Sequence, residues 1–124
     1  MNEVKELTIS EEIEKLIYTI REKKVMLDLD VAKIFKTETK KIRQTVKRNI
    51  KRFPEVFCFQ ITESELENIG LQKNEKYRNN RILPYVFTDK GIVMLTLLLK
   101  NKIPVQLSIN ILNTIVSAEN FRLA

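Results

Sequence analysis

The segment TKKIRQTVKRNIKRF, residues 39–53, limits the fold of this chain more than any other stretch. It contains seven lysines and arginines and no acidic residue. At about 3.6 residues per turn, an α-helix here places Ile42, Val46 and Ile50 on one side and basic side chains on the other. One face can therefore be buried in a core while the other forms a dense positive ridge. The helix is expected to end before Pro54, because proline disfavours helical geometry at the residue that precedes it.

A short apolar helix and a tight turn precede the basic helix. The residues LDVAKIFKTET, at positions 29–39, predict a small helix that Asp28 or Asp30 caps, followed by a turn from Thr37 to Thr39. Helix, short turn and basic helix are the layout of a helix-turn-helix that binds duplex DNA. An ordinary solvated surface is the alternative for a lone basic run. Surface helices usually mix charge signs, however, and a run of like charges repels itself, which favours a polyanionic partner.

Helical spacing divides the polar side chains of the basic helix into two groups. Side chains at the centre of the ridge are candidates for reading base edges, because Arg and Lys bind guanine and Gln binds adenine. Asn49 points toward the apolar side and is expected to tie the end of the helix to the scaffold. The base-reading candidates are Lys40, Arg43, Gln44 and Lys47. The flanking candidates, which suit DNA phosphates, are Lys36, Lys41, Arg48, Lys51 and Arg52.

Short apolar runs around these helices predict a small antiparallel sheet. Apolar residues within 9–20 recur at helical spacing and predict a first helix, which an extended piece at 24–27 follows. FCFQI at 57–61 and ILPYVF at 82–87 are rich in aromatic and β-branched residues. They predict two strands that pair with each other.

The segment between these two strands is predicted to contain a helix and a basic loop. Thr62 and Glu65 match a capping box, and Gly70 can end the helix that follows. The loop LQKNEKYRNNR, residues 71–81, resembles the wing of a winged helix, which grips phosphate or enters the minor groove. An ordinary solvated loop is an equal alternative. The wing residues are Lys73, Lys76, Tyr77, Arg78 and Arg81.

Two apolar helices are predicted at residues 88–101 and 104–121. Thr88 suits the N-cap of the first, and Pro104 suits the first turn of the second. Both helices carry Leu, Ile and Val on more faces than one small core needs. Enclosure in the core, a second copy in a two-fold homodimer, and another domain or protein are the three alternatives for covering the surplus. The surplus side chains are Leu97, Leu98, Leu107, Ile111 and Ile115.

The residue types present exclude most catalytic and metal-binding chemistry. There is no histidine, the only cysteine is Cys58, and the two glycines cannot form a phosphate-binding loop. Asp28 and Asp30 suit helix capping better than metal binding. We therefore expect a protein that is not an enzyme and that uses no metal and no cofactor. The sparse glycines and prolines also predict mostly helical structure with few tight hairpins.

The net charge of +6 is concentrated in the middle of the chain. Residues 31–81 carry 13 basic and 6 acidic groups, whereas residues 1–30 carry 5 basic and 8 acidic groups. A local excess of this kind is typical of a surface that binds nucleic acid. The longest apolar run, IVMLTLLL, is too short to span a bilayer, and a lone cysteine suits an intracellular protein. These features predict a cytoplasmic protein that associates with the bacterial nucleoid and with no membrane.

Three stretches carry a family resemblance: VMLDLDVAKIF at 25–35, VKRNIKRFPEVFCFQIT at 46–62 and PYVFTDKGIVML at 84–95. In order and spacing they resemble the phage-associated KilA-N-type DNA-binding domains, in particular the Orf-six-N branch. The resemblance implies a DNA-binding module of phage, prophage and bacterial genes. Such modules are often the N-terminal part of antirepressor-like or regulatory proteins. One departure is that many helix-turn-helix turns carry glycine where Lys36 stands.

Together, these features predict an α+β fold: a winged-helix-like domain with a helix-turn-helix, a small antiparallel sheet and two apolar C-terminal helices. Residues 1–124 are expected to form a single DNA-binding domain, or the N-terminal fragment of a longer regulator. The predicted function is sequence-specific double-stranded DNA binding in phage, prophage or bacterial gene regulation, through the basic helix at 39–52 and the wing loop at 73–81. The alternative is an antirepressor-like protein-interaction module whose apolar C-terminal helices bind a phage or host regulatory protein.

Overall fold

The computed structural model describes residues 13–70 and 82–99, together with the single residues 106, 109 and 113. The described part is α+β, as the sequence predicts, with helices packed on a four-stranded antiparallel sheet. In chain order the elements are β1 (Ile17–Ile20), β2 (Lys23–Leu27), α1 (Asp28–Phe35), α2 (Thr39–Arg48), a 3₁₀ turn (Ile50–Arg52), β3 (Cys58–Gln60), α3 (Glu63–Asn68), β4 (Tyr85–Phe87) and α4 (Asp89–Leu99). The spatial order of the strands is β1-β2-β4-β3.

The strands β1 and β2 form a hairpin where the sequence predicts the end of a helix. Residues 13–15 are helical, but the chain is a strand from Ile17 to Ile20, so the helix prediction is wrong there. The two turn residues, Arg21 and Glu22, have φ of 54° and 64°. Positive φ at both positions is typical of a two-residue type I′ hairpin, in which glycine or asparagine is usual. The expected sequence signal for this turn is therefore missing from the chain.

The sheet is covered on both faces. Because successive strand residues point to opposite sides, Met26 and Phe87 face one layer, while Val25 and Val86 face the other. The first layer is the larger core and contains buried side chains of α1, α2 and α4. The second layer is smaller and includes Leu66 of α3. The larger core therefore packs α2 on one face of the sheet, together with α1 and α4.

The basic segment is not one continuous α-helix. Its α-helical part ends at Arg48, and Asn49, with φ of −128° and ψ of 37°, separates it from the 3₁₀ turn. A 3₁₀ turn has about three residues per turn, so the side chains beyond the break shift around the axis. Ile50 is consequently 59% exposed, although the helical pattern places it on the apolar side. Phe53 is instead only 4% exposed and lies in the core.

Several local predictions for the second half of the described chain are confirmed. The strands β3 and β4 pair antiparallel, and α3 begins with the predicted capping box. In that box the Thr62 hydroxyl accepts from the backbone N–H of Glu65 at 3.1 Å, and the Glu65 carboxylate accepts from the backbone N–H of Thr62 at 2.9 Å. Gly70 follows α3 with φ of 81°, a conformation that glycine adopts without strain.

The FTDKG motif fastens α4 to the chain that enters β3. Thr88 is the predicted N-cap, and its Oγ1 accepts from the backbone N–H of Gly91 at 3.3 Å. The same hydroxyl donates to the carbonyl oxygen of Val56 at 2.6 Å. A Cβ atom on Gly91 would overlap the carbonyl oxygen of Phe57. The threonine supplies the cap, and the glycine permits the close approach of the two segments.

Two predictions lie largely outside the described residues. The wing loop at 71–81 is one, so the winged-helix detail stays a prediction. The second apolar helix is the other, although its three described positions, 106, 109 and 113, are helical and exposed. None of the helices that the structure describes is long and apolar enough to cross a membrane.

Candidate nucleic-acid interface

The turn between α1 and α2 depends on a left-handed residue. Lys36 has φ of 56° and ψ of 45°. The backbone N–H of Lys36 donates to the carbonyl of Lys33 at 3.2 Å, and that of Thr37 donates to the carbonyl of Ala32 at 2.9 Å. These two bonds form a Schellman motif, which ends a helix and redirects the chain. The turn thus begins at Lys36, one residue earlier than predicted, and this is the position where helix-turn-helix turns often carry glycine.

The helix α2 has one buried face and one basic face, as the sequence predicts. Ile42 and Val46 are buried in the larger core with side chains of α1 and α4. The cations on the other face and those just beyond its two ends, except Arg43, are exposed, and within the described ranges none of these exposed cations forms an ion pair with an acid. We call this set the basic ridge: Lys36, Lys40, Lys41, Lys47, Arg48, Lys51 and Arg52. Gln44 lies exposed among these cations.

Arg43 is the exception among the predicted base-reading residues. Its side chain is only 13% exposed, and its Nε donates to Oδ2 of the fully buried Asp28 at 2.8 Å. The expectation that Arg43 lies on the open ridge with Lys40 and Lys47 is therefore wrong. Fifteen residues separate the two partners, so no local pattern could reveal the contact.

Asp28 does not cap α1, although its position at the start of this helix suggests that role. The N-cap position of α1 is Leu27, and no side chain caps this helix. Asp28 and Asp30 lie in its first turn and are buried, so the prediction that one of them is the cap is wrong. Oδ2 of Asp28 also accepts from the backbone N–H of Tyr85 at 3.0 Å. Asp28 thereby joins α1, α2 and β4, a role that no pattern in the sequence indicates.

The described hydrogen bonds that Asn49 donates stay within the last turn of α2, so the prediction that Asn49 ties the helix to the scaffold is not confirmed. Its side-chain Nδ2 donates to the carbonyl oxygen of Thr45 at 2.8 Å, and its backbone N–H donates to the same oxygen at 3.1 Å. These bonds satisfy a carbonyl that would otherwise be free at the end of a helix. They also fix the break after which Lys51 and Arg52 continue the basic ridge.

Cys58 is a buried residue of β3 and not a reactive group. Burial raises the pKa of its thiol to about 12, and the nearby Asp28 carboxylate adds to this rise. The thiol is therefore protonated at neutral pH. In the part of the chain that the structure covers, no three His, Cys, Asp or Glu side chains are grouped so that they could hold a metal ion. The wing candidates Lys73, Lys76, Tyr77, Arg78 and Arg81 lie outside the described residues.

The described elements define the class of the molecule as an α+β domain, in which two helices joined by a tight turn pack on an antiparallel sheet and the second helix exposes a basic face. The ORF6N domain family matches residues 15–97, which is more than half of the chain and includes every element from β1 to β4. The chain therefore belongs to the ORF6N domain family, a phage-associated family of the KilA-N type. A search of curated proteins and a search of solved structures each found no match.

Proposed function

We propose that this protein binds duplex DNA in a sequence-specific manner and thereby regulates phage, prophage or bacterial genes. The observation that carries the proposal is the basic ridge on α2, whose cations are exposed and form no ion pair with the described acids. Unpaired cations on a helix that is fixed to a core attract phosphates and release the counterions of DNA. The family membership supports this proposal. The function is binding and requires no catalytic group.

Base reading is assigned to the exposed side chains at the centre of α2. Lys40, Gln44 and Lys47 are spaced at four and three residues, so they lie in one stripe along the helix. In the major groove, lysine donates hydrogen bonds to guanine, and glutamine forms two hydrogen bonds with adenine. Lys41 and Arg48 lie to one side of this stripe, where they suit phosphates. Lys36, Lys51 and Arg52 extend the phosphate contacts beyond the two ends of α2.

Selection of bound sites from a random duplex pool tests this proposal. The chain is expected to enrich one short motif, and unrelated duplex should compete less well than the enriched duplex. A variant with Lys40, Gln44 and Lys47 changed to alanine should still bind duplex but enrich no motif. The matched control changes Lys24, a cation of β2 outside the ridge, and should keep the motif. If heparin and any duplex compete equally well for the protein, the surface has no sequence preference.

A second copy of the chain is the proposed partner of the apolar face on α4. Val93 and Leu97 are one turn apart on this helix, and Leu97 is 56% exposed. Ile109, a described position of the following helix, is exposed as well. A two-fold dimer would place two basic helices on one side of DNA, about one helical turn apart, and would favour an inverted-repeat site. An antirepressor-like contact with a different regulatory protein is the second candidate for the same face.

A further inference from the structure

We propose that Asp28 and Arg43 are a positioning pair, which fixes the rotation of α2 about its own axis and so sets which side chains reach the bases. This inference rests on the proposed function. The carboxylate oxygen Oδ2 of Asp28 receives two donors: Nε of Arg43 at 2.8 Å and the backbone N–H of Tyr85 at 3.0 Å. The first donor comes from the middle of α2 and the second from the first residue of β4. One buried oxygen therefore holds the basic helix to the sheet.

The apolar contacts of α2 constrain its rotation less specifically than a directed hydrogen bond does. Its buried side chains, Ile42 and Val46, lie one turn apart and make contacts that have no preferred direction. Such contacts resist a roll of the helix only through the shape of the packing. A roll of about 20° moves the side chains at the surface of a helix of about 10 Å diameter by about 2 Å. A displacement of that size breaks a hydrogen bond to a base edge.

A hydrogen-bonded ion pair does have a preferred direction. The guanidinium of Arg43 is planar, and its Nε–H must point at the carboxylate of Asp28. Arg43 also precedes Gln44 directly and lies between Lys40 and Lys47 along the helix, so its orientation determines theirs. A buried ion pair is often no more stabilising than apolar side chains of the same volume. Its directional character is the property that apolar replacements cannot supply.

The Nε–Oδ2 contact is the one described hydrogen bond between the two side chains. Oδ1 of Asp28 and Nη2 of Arg43 are both buried. Within the described ranges, Oδ1 accepts no hydrogen bond and Nη2 donates none. Loss of the Nε contact would leave the largely buried guanidinium without its acceptor and the buried carboxylate with the Tyr85 N–H as its remaining described donor. Both side chains are therefore held in place, and removing one partner alone would destabilise the domain. The clearest test of positioning therefore removes the two charges together.

The double variant Asp28→Asn with Arg43→Met serves this purpose. It keeps the net charge, because one acid and one base are lost together. The asparagine oxygen can still accept from the backbone N–H of Tyr85, and methionine fills the space of the arginine stem. The readouts are thermal unfolding, the salt dependence of duplex binding and the preference at each base pair of the motif that the wild-type protein selects.

We expect the double variant to fold and to bind unrelated duplex with an unchanged salt dependence. Its ratio of affinity for the selected motif to affinity for unrelated duplex should fall at least tenfold, and the loss should be spread over all base pairs of the motif. A loss at one base pair only would identify Arg43 as a direct base-reading residue and overturn the positioning role. An unchanged preference would also overturn it, since the pair would then support the fold alone. If the wild-type protein selects no motif, the proposed function fails and not the assignment of the pair.

Two further variants keep the test decisive. Leu66→Ala on α3 destabilises the opposite face of the sheet and should leave the base preferences unchanged, which separates lost stability from lost positioning. The single variant Asp28→Asn keeps an oxygen that can accept from Arg43, so it weakens the contact without removing it, although the arginine loses its counter-charge. It should weaken the same preferences to a smaller extent and replaces the double variant if that variant does not fold. Unchanged preferences in Asp28→Asn would then count against the proposal.

Discussion

Arg21 and Glu65 lie 44 residues apart in the sequence and are joined by two hydrogen bonds, of 2.8 and 3.0 Å. Arg21 belongs to the turn of the β1–β2 hairpin, and its guanidinium lies 4.3 Å from the ring centre of Phe59 in β3. Glu65 is also the residue that completes the capping box of α3 with Thr62. The pair thus joins the hairpin turn to α3 on the face of the sheet that carries the smaller core.

This pair predicts a stability change in acid. The hydrogen bond from Arg21 holds the pKa of Glu65 below its ordinary value of 4.5. A carboxylate with a lowered pKa stabilises the folded state above pH 4.5, and this contribution disappears as the pH falls through the lowered pKa. We expect Glu65→Gln to be less stable than the wild-type protein at neutral pH, and the difference to shrink as the pH falls below 4.5.

Urea unfolding at a series of pH values measures this difference. Glu67→Gln, on the exposed side of the same helix, is the matched control and should show a smaller effect at neutral pH. A stability difference for Glu65→Gln that stays constant from neutral pH into strong acid would contradict the contribution of the carboxylate.

The two ends of the basic segment should respond differently to the removal of an isoleucine side chain. Ile42→Ala empties a fully buried site in the larger core and is expected to cost about 2–5 kcal/mol of unfolding free energy. Ile50→Ala removes a side chain that is mostly in solvent and should change stability by about 0.5 kcal/mol or less. Denaturant unfolding of the two variants provides the comparison. Equal losses would mean that Ile50 is packed and that the 3₁₀ turn does not rotate it outward.

Duplex binding should depend steeply on salt. If the basic ridge neutralises about six phosphates, the slope of log affinity against log salt should lie near −5, from about −0.9 per contact. Lys51→Ala should reduce this slope by about 1, whereas Lys24→Ala, outside the ridge, should leave it unchanged. Fluorescence anisotropy with a labelled duplex over a range of salt concentrations measures both. An affinity that is independent of salt would exclude binding through this surface.

Gln44 should behave as a base-reading residue and Lys51 as a phosphate contact. Gln44→Ala is expected to cost about 1–3 kcal/mol on the selected site and to relax the preference at one base pair, as the loss of an adenine contact does. Lys51→Ala should weaken binding to all duplexes alike. Competition binding with single-base-pair variants of the site separates the two effects. If Gln44→Ala weakens selected and random duplexes equally, Gln44 does not read a base.

The apolar face of α4 predicts self-association. Wild-type protein at micromolar concentration should give a mass by light scattering of twice the 14.6 kDa of one chain. Leu97→Lys places a charge on the exposed part of this face and should return the mass to 14.6 kDa without loss of folding. The matched control is Lys90→Ala on the same helix, which should remain a dimer. A wild-type mass near 14.6 kDa would rule out a stable homodimer.

The features that could be predicted from the sequence depend on residues close together in the chain. The amphipathic character of α2, the capping box of Thr62 and Glu65, and the N-cap Thr88 each arise within one or two helical turns. The strand pair β3 and β4 could be predicted because both segments are rich in aromatic and β-branched residues. All of these elements are present in the structure.

The features that could not be predicted depend on contacts between distant segments or on unusual backbone conformations. The strand β1 replaces a predicted helix because its apolar residues suit both structures, and pairing with β2 decides between them. The hairpin turn uses Arg21 and Glu22 where glycine or asparagine would have signalled it. The pairing of Asp28 with Arg43 links two helices and places an apparent surface cation inside. Spacing along one helix cannot reveal such a partner.

At position 36, thermal stability and attraction to a polyanion favour different residues, because Lys36 has a left-handed backbone conformation. A residue with a Cβ atom is about 1 kcal/mol less favourable in this conformation than glycine, which adopts it freely. Lys36→Gly would relieve that strain and would also remove one exposed cation beside the start of α2. A selection for heat resistance and a selection for tight binding to a polyanion would therefore choose different residues here. A library sorted only by melting temperature would accumulate the weaker binders at this turn.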